Sequence, residues 1–208
     1  MADSKKVLEI IRAIGLKMEA EKEYLTELDQ PIGDSDHGIN MARGFAAVEG
    51  KLPDLEGKDI GTILKTVGMT LVSTVGGASG PLYGSAYMKA GMALAGKEEM
   101  DMDDFLSMMD TAVQAVEQRG KATVEEATML DAMVPSLKSH EGRGGRGKEP
   151  YKKRWRPEFR AAWAGAEHTK DLVATKGRAS YVGERGLGHQ DPGATSYSYM
   201  LEVIAGLM

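Results

Sequence analysis

Three carboxylates lie close together in the segment Asp-Gln-Pro-Ile-Gly-Asp-Ser-Asp-His-Gly, which spans residues 29–38. A Pro-Ile-Gly turn separates Asp29 from Asp34 and Asp36, so neither a helix nor a strand continues through them. Two like charges about 4 Å apart repel by roughly 4 kcal/mol at an effective dielectric constant near 20. The folded loop is therefore expected to hold a cation, and hard oxygen ligands suit Mg²⁺ or Ca²⁺. The alternative is a solvated acidic turn without a ligand.

An EF-hand is the obvious calcium-binding candidate for such a segment, but the spacing excludes it. An EF-hand loop needs a closing Glu at its twelfth position. The twelfth residue is Asn40 when the loop is counted from Asp29, and Phe45 when it is counted from Asp34. The Mg²⁺ interpretation stays, and a phosphate group often completes a Mg²⁺ shell in proteins.

A second candidate segment is Val-Gly-Gly-Ala-Ser-Gly-Pro at residues 75–81, between two apolar helical runs. Small residues let a backbone approach a ligand closely. Ser79 is predicted to cap the following helix, with Pro81 in its first turn. A helix start opened by glycines is a ready anion site. The segment matches neither G-x-G-x-x-G nor the P-loop, and an ordinary helix-to-helix loop has the same composition.

A third candidate is the polar segment at residues 176–195, which combines glycine, mixed charge and proline without an apolar period. Such a segment cannot form core, and long polar loops within compact domains are usually functional or disordered. An apolar helical run from residue 195 to residue 208 follows it, so the loop is anchored at both ends. This anchoring favours a functional loop.

The periodicity of the chain is helical almost throughout. Apolar residues repeat at three- and four-residue steps from Val7 to Leu28, behind a predicted cap at Ser4. No segment alternates with a period of two, so no sheet is predicted. Eight helices with short connections predict an all-α antiparallel bundle or barrel in a single domain of residues 1–208. The other seven helices are predicted at residues 37–51, 59–75, 79–95, 102–119, 128–139, 157–176 and 192–207.

Composition excludes several classes of protein. The formal net charge of −5 gives no general affinity for nucleic acid. The chain has no cysteine, which excludes disulfides and thiolate catalysis and fits a reducing cytoplasm. The first residues lack the apolar segment of a signal peptide, and no run approaches membrane-spanning length. A cytoplasmic protein without membrane association is expected.

Residues 138–160 form a basic stretch unlike its surroundings. In isolation, its basic residues and the interleaved Tyr151, Trp155 and Phe159 are typical of a nucleic-acid-binding patch. We favour a flexible, solvated insertion between two helices, because the rest of the chain carries no matching basic face. A reading-frame slip in the source DNA would also produce such a foreign block.

Together the three candidate segments resemble the nucleotide-binding L subunits of the bacterial dihydroxyacetone kinases that work with a phosphotransferase system. The resemblance rests on residues 32–45, 75–84, 177–185 and 188–195, and it extends from near residue 5 to the C-terminus apart from the basic stretch.

The chain departs from this family just before the basic stretch. There the family has Gly-Asp-Lys-Thr-Met followed by an Asp. Thr128, Met129 and Asp131 match this pattern, whereas Glu125 and Ala127 replace the Gly and the Lys. The adenine-side wall of the site is therefore expected to differ in detail.

The resemblance implies an eight-helix antiparallel barrel that holds ADP or ATP in loops at one end. It implies that Asp29, Asp34 and Asp36 hold two Mg²⁺ ions that bridge the nucleotide phosphates. The implied nucleotide-binding residues are His37, Gly38, Asn40, Ala78, Ser79, Gly120, Met129, Arg178 and Asp191. For two of them a structural role is the alternative: His37 as a helix-capping side chain, and Arg178 as the ion-pair partner of Glu184.

The activity implied by the resemblance is that of a phosphoenolpyruvate-dependent phosphotransferase, a glycerone kinase subunit. An M subunit of the phosphotransferase system rephosphorylates the bound ADP. The L subunit then passes the γ-phosphoryl group to dihydroxyacetone, which a K subunit holds through a histidine. A homodimer is compatible with this scheme. Two alternatives stay open: a nucleotide-loaded regulatory protein, and an ATP-dependent kinase module for another acceptor.

Overall fold

The computed structural model describes residues 1–139 and 156–208. The all-α prediction is confirmed, since these residues form nine α-helices and one antiparallel pair of two-residue strands. The helices are α1 (Ser4–Ala20), α2 (Lys22–Asp29), α3 (His37–Glu49), α4 (Ile60–Thr74), α5 (Ser79–Ala93), α6 (Met102–Gly120), α7 (Leu130–Lys138), α8 (Arg156–His168) and α9 (Pro192–Leu207). The strands are β1 (Ala2–Asp3) and β2 (Glu99–Met100), and the 3₁₀ helices are Leu52–Leu55, Thr169–Asp171, Arg178–Tyr181 and Gly183–Gly186.

The N-terminal helical run differs from the prediction at both ends of α1. The run is divided at Glu21, whose backbone (φ −97°, ψ 9°) ends α1, so the described residues contain nine helices where the sequence predicted eight. Asp3 and not Ser4 caps α1, because the Asp3 carboxylate accepts a hydrogen bond from the Lys6 N–H at 2.8 Å. The Ser4 hydroxyl donates to the carbonyl oxygen of Glu98 at 3.1 Å, beside the strand pair.

Two other helix ends also differ from the prediction. Ala78 precedes α5 in a helical conformation without a side-chain cap, so Ser79 is the first residue of the helix and not its cap. Helix α8 ends at His168, because a 3₁₀ turn follows and Leu172 is extended (φ −107°, ψ 145°). The predicted helix to residue 176 is therefore shorter than expected.

The first of two compact units comprises residues 1–23 and 37–121. Large apolar side chains such as Met18, Phe45 and Leu71 are fully buried in its core. Helices α4 and α5 pack with their backbones in close contact: a Cβ atom on Gly61 would lie 2.6 Å from the carbonyl oxygen of Gly91. At the connection between the two helices, a Cβ atom on Gly80 would lie 2.2 Å from the carbonyl oxygen of Val75, so the chain turns tightly from α4 into α5.

The second compact unit comprises residues 24–36 and 122–208. Within it, α8 packs tightly on α7, since a Cβ atom on Gly165 would lie 1.9 Å from the carbonyl oxygen of Asp131. Helix α9 packs on both, through a buried hydrogen bond of 2.9 Å between Ser136 and Tyr197 and an edge-to-face contact of Trp163 with Tyr199. These contacts fix Asp131 and the start of α9.

The described residues leave two sequence-based expectations untested and bear on a third only for the part of the chain that they cover. Residues 140–155 of the basic stretch lie outside the described residues, and with them the predicted insertion and the nucleic-acid alternative. The single-domain organisation stays a prediction. Over residues 1–139 and 156–208, no helix has the length and apolar character needed to cross a membrane.

Candidate metal centre

The three predicted metal ligands come together in the second unit. One carboxylate oxygen from each of Asp29, Asp34 and Asp36 lies within 4.8 Å of the other two. Asp29 is the last residue of α2 and is buried, whereas Asp36 is half-buried and Asp34 is exposed. The cluster therefore has one fixed, desolvated member and two members that face solvent.

A tight turn after α2 holds this acid cluster in shape. The N–H groups of Ile32 and Gly33 both donate to the carbonyl oxygen of Asp29, at 3.2 Å and 2.6 Å. The N–H of Asp36 donates to the Asp29 carboxylate at 2.9 Å, and Ser35 between them has a positive φ of 59°. Glycine at position 33 leaves room for the Asp29 carboxylate in this position, because a Cβ atom there would lie 1.9 Å from Oδ1 of Asp29.

One cation of the chain lies against the cluster. The Arg178 guanidinium is 2.8 Å from a carboxylate oxygen of Asp34. The alternative partner considered from the sequence was Glu184, so the structure places this arginine at the candidate site. Three carboxylates (−3) and one guanidinium (+1) give a formal charge of −2, which favours the binding of divalent cations.

A further carboxylate, that of Asp191, adds to the negative charge of this region. Burial, together with the negative charges of Asp131 and Asp29, raises the pKa of Asp191 to about 7. One Asp191 oxygen accepts a hydrogen bond from the Ala194 N–H at 2.6 Å, so Asp191 also caps α9. The second unit thus concentrates more negative than positive charge around the end of α2.

The donor set fits Mg²⁺. All three donors are hard carboxylate oxygens, the ligand type that Mg²⁺ takes at about 2.0–2.1 Å in an octahedral shell. In such a shell, ligand oxygens lie about 2.9–4.2 Å apart. Atoms that lie within 4.8 Å of one another need to close by at most about 1.9 Å to reach adjacent positions of that shell, and the exposed Asp34 and half-buried Asp36 have side-chain freedom to do so.

The first unit contains two helix starts that are joined by side chains. His37 opens α3 and is buried, and its Nδ1 lies 3.1 Å from the Ser79 hydroxyl at the start of α5. Asn40 is buried against the backbone at Gly76, where a Cβ atom would lie 2.9 Å from the Asn40 amide oxygen. The first N–H groups of a helix lack intrahelical partners and attract anions.

Arg43 reinforces this pairing of helix starts. Its guanidinium donates to the Asn40 amide oxygen at 2.5 Å and to the carbonyl oxygen of Thr74, the last residue of α4, at 2.9 Å. Gly38 is buried in the first turn of α3, whereas Ala78 is exposed just before α5. Among the predicted phosphate-side residues of the first unit, His37 and Ser79 therefore contact each other, and Asn40 is held by Arg43.

The two predicted adenine-side residues belong to different units. Gly120 ends α6 in the first unit and is followed by Lys121 in a left-handed conformation (φ 48°). Met129 is buried immediately before α7 in the second unit. Small and apolar character, which an adenine-side wall requires, is present at both positions.

Asp131, which the sequence analysis named only as a match to the family pattern, holds the turn that precedes α7. It is buried, and its carboxylate accepts hydrogen bonds from the N–H groups of Glu125 and Thr128, the latter at 2.8 Å. Burial raises the pKa of its carboxyl group. The Thr-x-x-Asp pattern at residues 128–131 is a capping-box signal that would have identified it. The left-handed Glu125 and Ala127 are held in this turn, although they replace the Gly and Lys of the family.

Comparisons with known proteins identify the family. A model of the DAK2 domain matches residues 31–206. The chain therefore belongs to the DAK2 domain family. It is 44% identical over 185 residues to the ADP-binding subunit DhaL of the PEP-dependent dihydroxyacetone kinase of Escherichia coli (strain K12), covering 89% of this chain and 88% of that subunit. It is 42% identical over 191 residues to the ADP-binding subunit DhaL of the PTS-dependent kinase of Lactococcus lactis, covering 90% and 89%. The family resemblance seen in the sequence is confirmed.

A solved structure shares the fold. The chain superposes on the dihydroxyacetone kinase of C. freundii with a TM-score of 0.75 at 24% sequence identity. The match covers 99% of this chain and 35% of that kinase, so it supports the helical fold alone. The same kinase has also been crystallised in complex with AMP-PNP and Mg²⁺, with a TM-score of 0.75.

Proposed function

We propose that this chain is the ADP/ATP-binding subunit of a phosphoenolpyruvate-dependent dihydroxyacetone kinase. The observation that carries the proposal is the acid cluster of Asp29, Asp34 and Asp36, formed on a glycine-dependent turn. It occurs in a chain that is 38–44% identical to several ADP-binding subunits of such kinases. Carboxylates arranged in this way serve to hold the divalent ions of a Mg–nucleotide.

The metal side of the proposed site is the acid cluster, which would hold two Mg²⁺ ions. Bound Mg²⁺ neutralises charge on phosphate oxygens and orients them for an in-line displacement. Asp29 provides the fixed ligand, because its buried carboxylate is already held by the Asp36 N–H. Arg178 would donate to a phosphate oxygen, since a guanidinium has five N–H donors and its contact with Asp34 is made through Nη2.

The proposed phosphate contacts are at the starts of α3 and α5. His37, Gly38 and Asn40 lie in the first turn of α3, and Ala78 and Ser79 lie at the start of α5. Backbone N–H groups and the Ser79 hydroxyl would donate to phosphate oxygens there, aided by the positive end of each helix dipole. On the base side, Gly120 and Met129 would contact adenine, and Asp191 would face the nucleotide from the start of α9.

The proposed partners are the two other subunits of the kinase. A K subunit would present covalently held dihydroxyacetone, and an M subunit of the phosphotransferase system would return the phosphoryl group to the bound ADP. The cytoplasmic location expected from the sequence is part of this proposal. A homodimer is compatible with it.

Reconstitution with these partners tests the proposal. A nucleotide that is bound through several contacts dissociates slowly, because differences in affinity appear mostly in the dissociation rate. With the K subunit and ATP alone, we expect at most about one phosphoryl transfer per molecule of this chain. Sustained formation of dihydroxyacetone phosphate should require the phosphotransferase donor chain. Many rapid turnovers with ATP alone would contradict the resident-nucleotide mechanism and favour a conventional ATP-dependent kinase module.

A further inference from the structure

The loop that carries Arg178, which we call the arginine loop (residues 172–188), has its two ends held together. The Asp191 N–H donates to the Thr169 hydroxyl at 2.9 Å, and the Gly188 N–H donates to the carbonyl oxygen of Lys170 at 2.8 Å. We call the place where the two ends of the loop meet the neck, and Thr169 is buried there. The neck fixes where the loop begins and ends, but the neck alone does not determine the position of its outer residues.

Glu126 holds the outer part of the arginine loop. Its carboxylate accepts a hydrogen bond from the Thr175 hydroxyl at 2.6 Å and lies 3.4 Å from the Lys176 ammonium group. Its backbone carbonyl accepts the Thr175 N–H at 3.4 Å. The same carboxylate accepts the Thr123 N–H at 2.7 Å, which fixes Glu126 within its own turn. The hydrogen bond from Thr175 is the main reason that the pKa of Glu126 is lowered, so the group is anionic at neutral pH.

The attachment at Thr175 is close to Arg178 along the chain. Three peptide steps separate the two residues and span at most about 11 Å. The Arg178 guanidinium contacts Asp34 of the acid cluster, and a Cβ atom on Gly186 would lie 3.6 Å from the Ile32 side chain on the same acidic turn. Glu126 therefore holds the loop at a point three residues from Arg178 and limits how far Arg178 can move from the cluster.

We propose that Glu126 is a positioning residue for nucleotide binding: it ties the arginine loop to the turn before Met129, so that Arg178 stays at the acid cluster. This inference rests on the proposed function. Glu126 itself does not touch the reacting atoms. Glu126 restricts Arg178 before a nucleotide binds. The conformational entropy that Arg178 loses on binding is therefore smaller.

The expected effect follows from the bonds that are lost. Replacing Glu126 by Ala removes the carboxylate acceptor of Thr175 and Thr123, and losing hydrogen bonds of this kind changes an equilibrium constant by about tenfold. We expect ADP to dissociate about tenfold faster in the presence of Mg²⁺. Glu126→Gln, which keeps an acceptor oxygen, should rescue part of the loss. Thr175→Val removes the same bond from the other side and should reproduce the effect of Glu126→Ala.

Two measurements on the full chain test the proposal. The first is hydrogen exchange of backbone amides at residues 173–188 in nucleotide-free protein, and the second is the rate at which excess ADP displaces a fluorescent ADP analogue with Mg²⁺ present. Glu167→Ala is the matched control, because the Glu167 carboxylate pairs with Lys170 at 2.8 Å in the same unit without holding the loop. We expect faster exchange and faster displacement in Glu126→Ala and Thr175→Val, and wild-type behaviour in Glu167→Ala.

Four outcomes would overturn the role of Glu126. Unchanged exchange in both variants would show that Glu126 does not hold the loop. Faster exchange with an unchanged displacement rate would show a purely structural tether, as would a lower melting temperature with normal displacement. A wild-type chain that binds no Mg–ADP would refute the proposed function itself, and the positioning role with it. If wild type binds Mg–ADP and only Glu126→Ala and Thr175→Val behave differently from expectation, the positioning role of Glu126 is refuted and the proposed function is not.

Discussion

Gly33→Ala is the substitution that most directly probes how the acid cluster is built. The added Cβ atom would lie 1.9 Å from Oδ1 of Asp29, whereas an ordinary contact begins near 3.4 Å. The Asp29 carboxylate must therefore move by about 1.5 Å, the difference between these two distances. A Mg²⁺–oxygen bond of about 2.0–2.1 Å does not tolerate such a shift. The movement also weakens the hydrogen bond of 2.9 Å from the Asp36 N–H.

The expected effect of Gly33→Ala is a smaller stabilisation of the fold by bound Mg–ADP. Displacing a metal ligand is expected to weaken Mg–ADP binding about 100-fold, the upper end of the loss seen when a group that hydrogen-bonds to a metal ligand is removed. At a ligand concentration of about 1,000 times the wild-type Kd, binding stabilises the fold by about 4.1 kcal/mol. With 100-fold weaker binding the same concentration gives about 1.4 kcal/mol. The loss of about 2.7 kcal/mol corresponds to a Tm shift smaller by about 5–11 °C.

The assay is thermal unfolding of wild type and variant with and without Mg–ADP, supported by calorimetric titration. Gly206→Ala is the matched control, since a Cβ atom at this exposed helical position would meet no atom within 4 Å. It should bind Mg–ADP as wild type does and unfold at the same or a slightly higher temperature. Equal ligand-induced Tm shifts in Gly33→Ala and wild type would refute the assignment of Asp29 as a metal ligand.

Two further predictions concern single carboxylates. Asp34→Asn should abolish Mg-dependent nucleotide retention and leave helicity unchanged, because Asp34 is exposed and its ion pair with Arg178 contributes little to folding; retention equal to wild type in gel-filtered protein would contradict its role. Asp191→Asn keeps a capping oxygen for α9 and removes a buried charge. Because burial raises the folded-state pKa of Asp191 from 3.8 to about 7, its ionisation lowers stability as the pH rises from about 4 to about 7. In EDTA, Asp191→Asn should therefore match wild type at pH 4 and be more stable than wild type above pH 7. The difference in unfolding free energy should be at most about 4 kcal/mol, because Asp191 keeps some solvent exposure. Urea unfolding at the two pH values measures this difference, and equal stabilities at both would contradict the buried charge.

The helical class and the acid cluster were predictable because both depend on residues close in sequence. Apolar residues at three- and four-residue spacing define a helix face whatever the helix packs against. Asp29, Asp34 and Asp36 lie within eight residues on a turn, so their proximity follows almost from chain geometry alone. The glycine in that turn was also visible, but its contact with the Asp29 carboxylate was not.

The features that the sequence did not reveal depend on contacts between distant residues. Ser4 was the better cap by residue type, but its hydroxyl is engaged by Glu98, 94 residues away, and Asp3 caps the helix. The partner of Arg178 is Asp34 and not its neighbour in sequence. In the sequence, nothing distinguishes Glu126 from the other acidic residues. Its hydrogen bond with Thr175 of the arginine loop is visible only in the structure.

Native mass spectrometry of the purified chain tests the central claim most directly. The protein is incubated with ADP and Mg²⁺, desalted, and measured before and after treatment with EDTA. If the acid cluster holds a resident Mg–nucleotide, the chain of 22.4 kDa should carry the added mass of ADP with magnesium, and EDTA should remove both together. A folded chain that shows only its own mass before EDTA treatment would contradict the account.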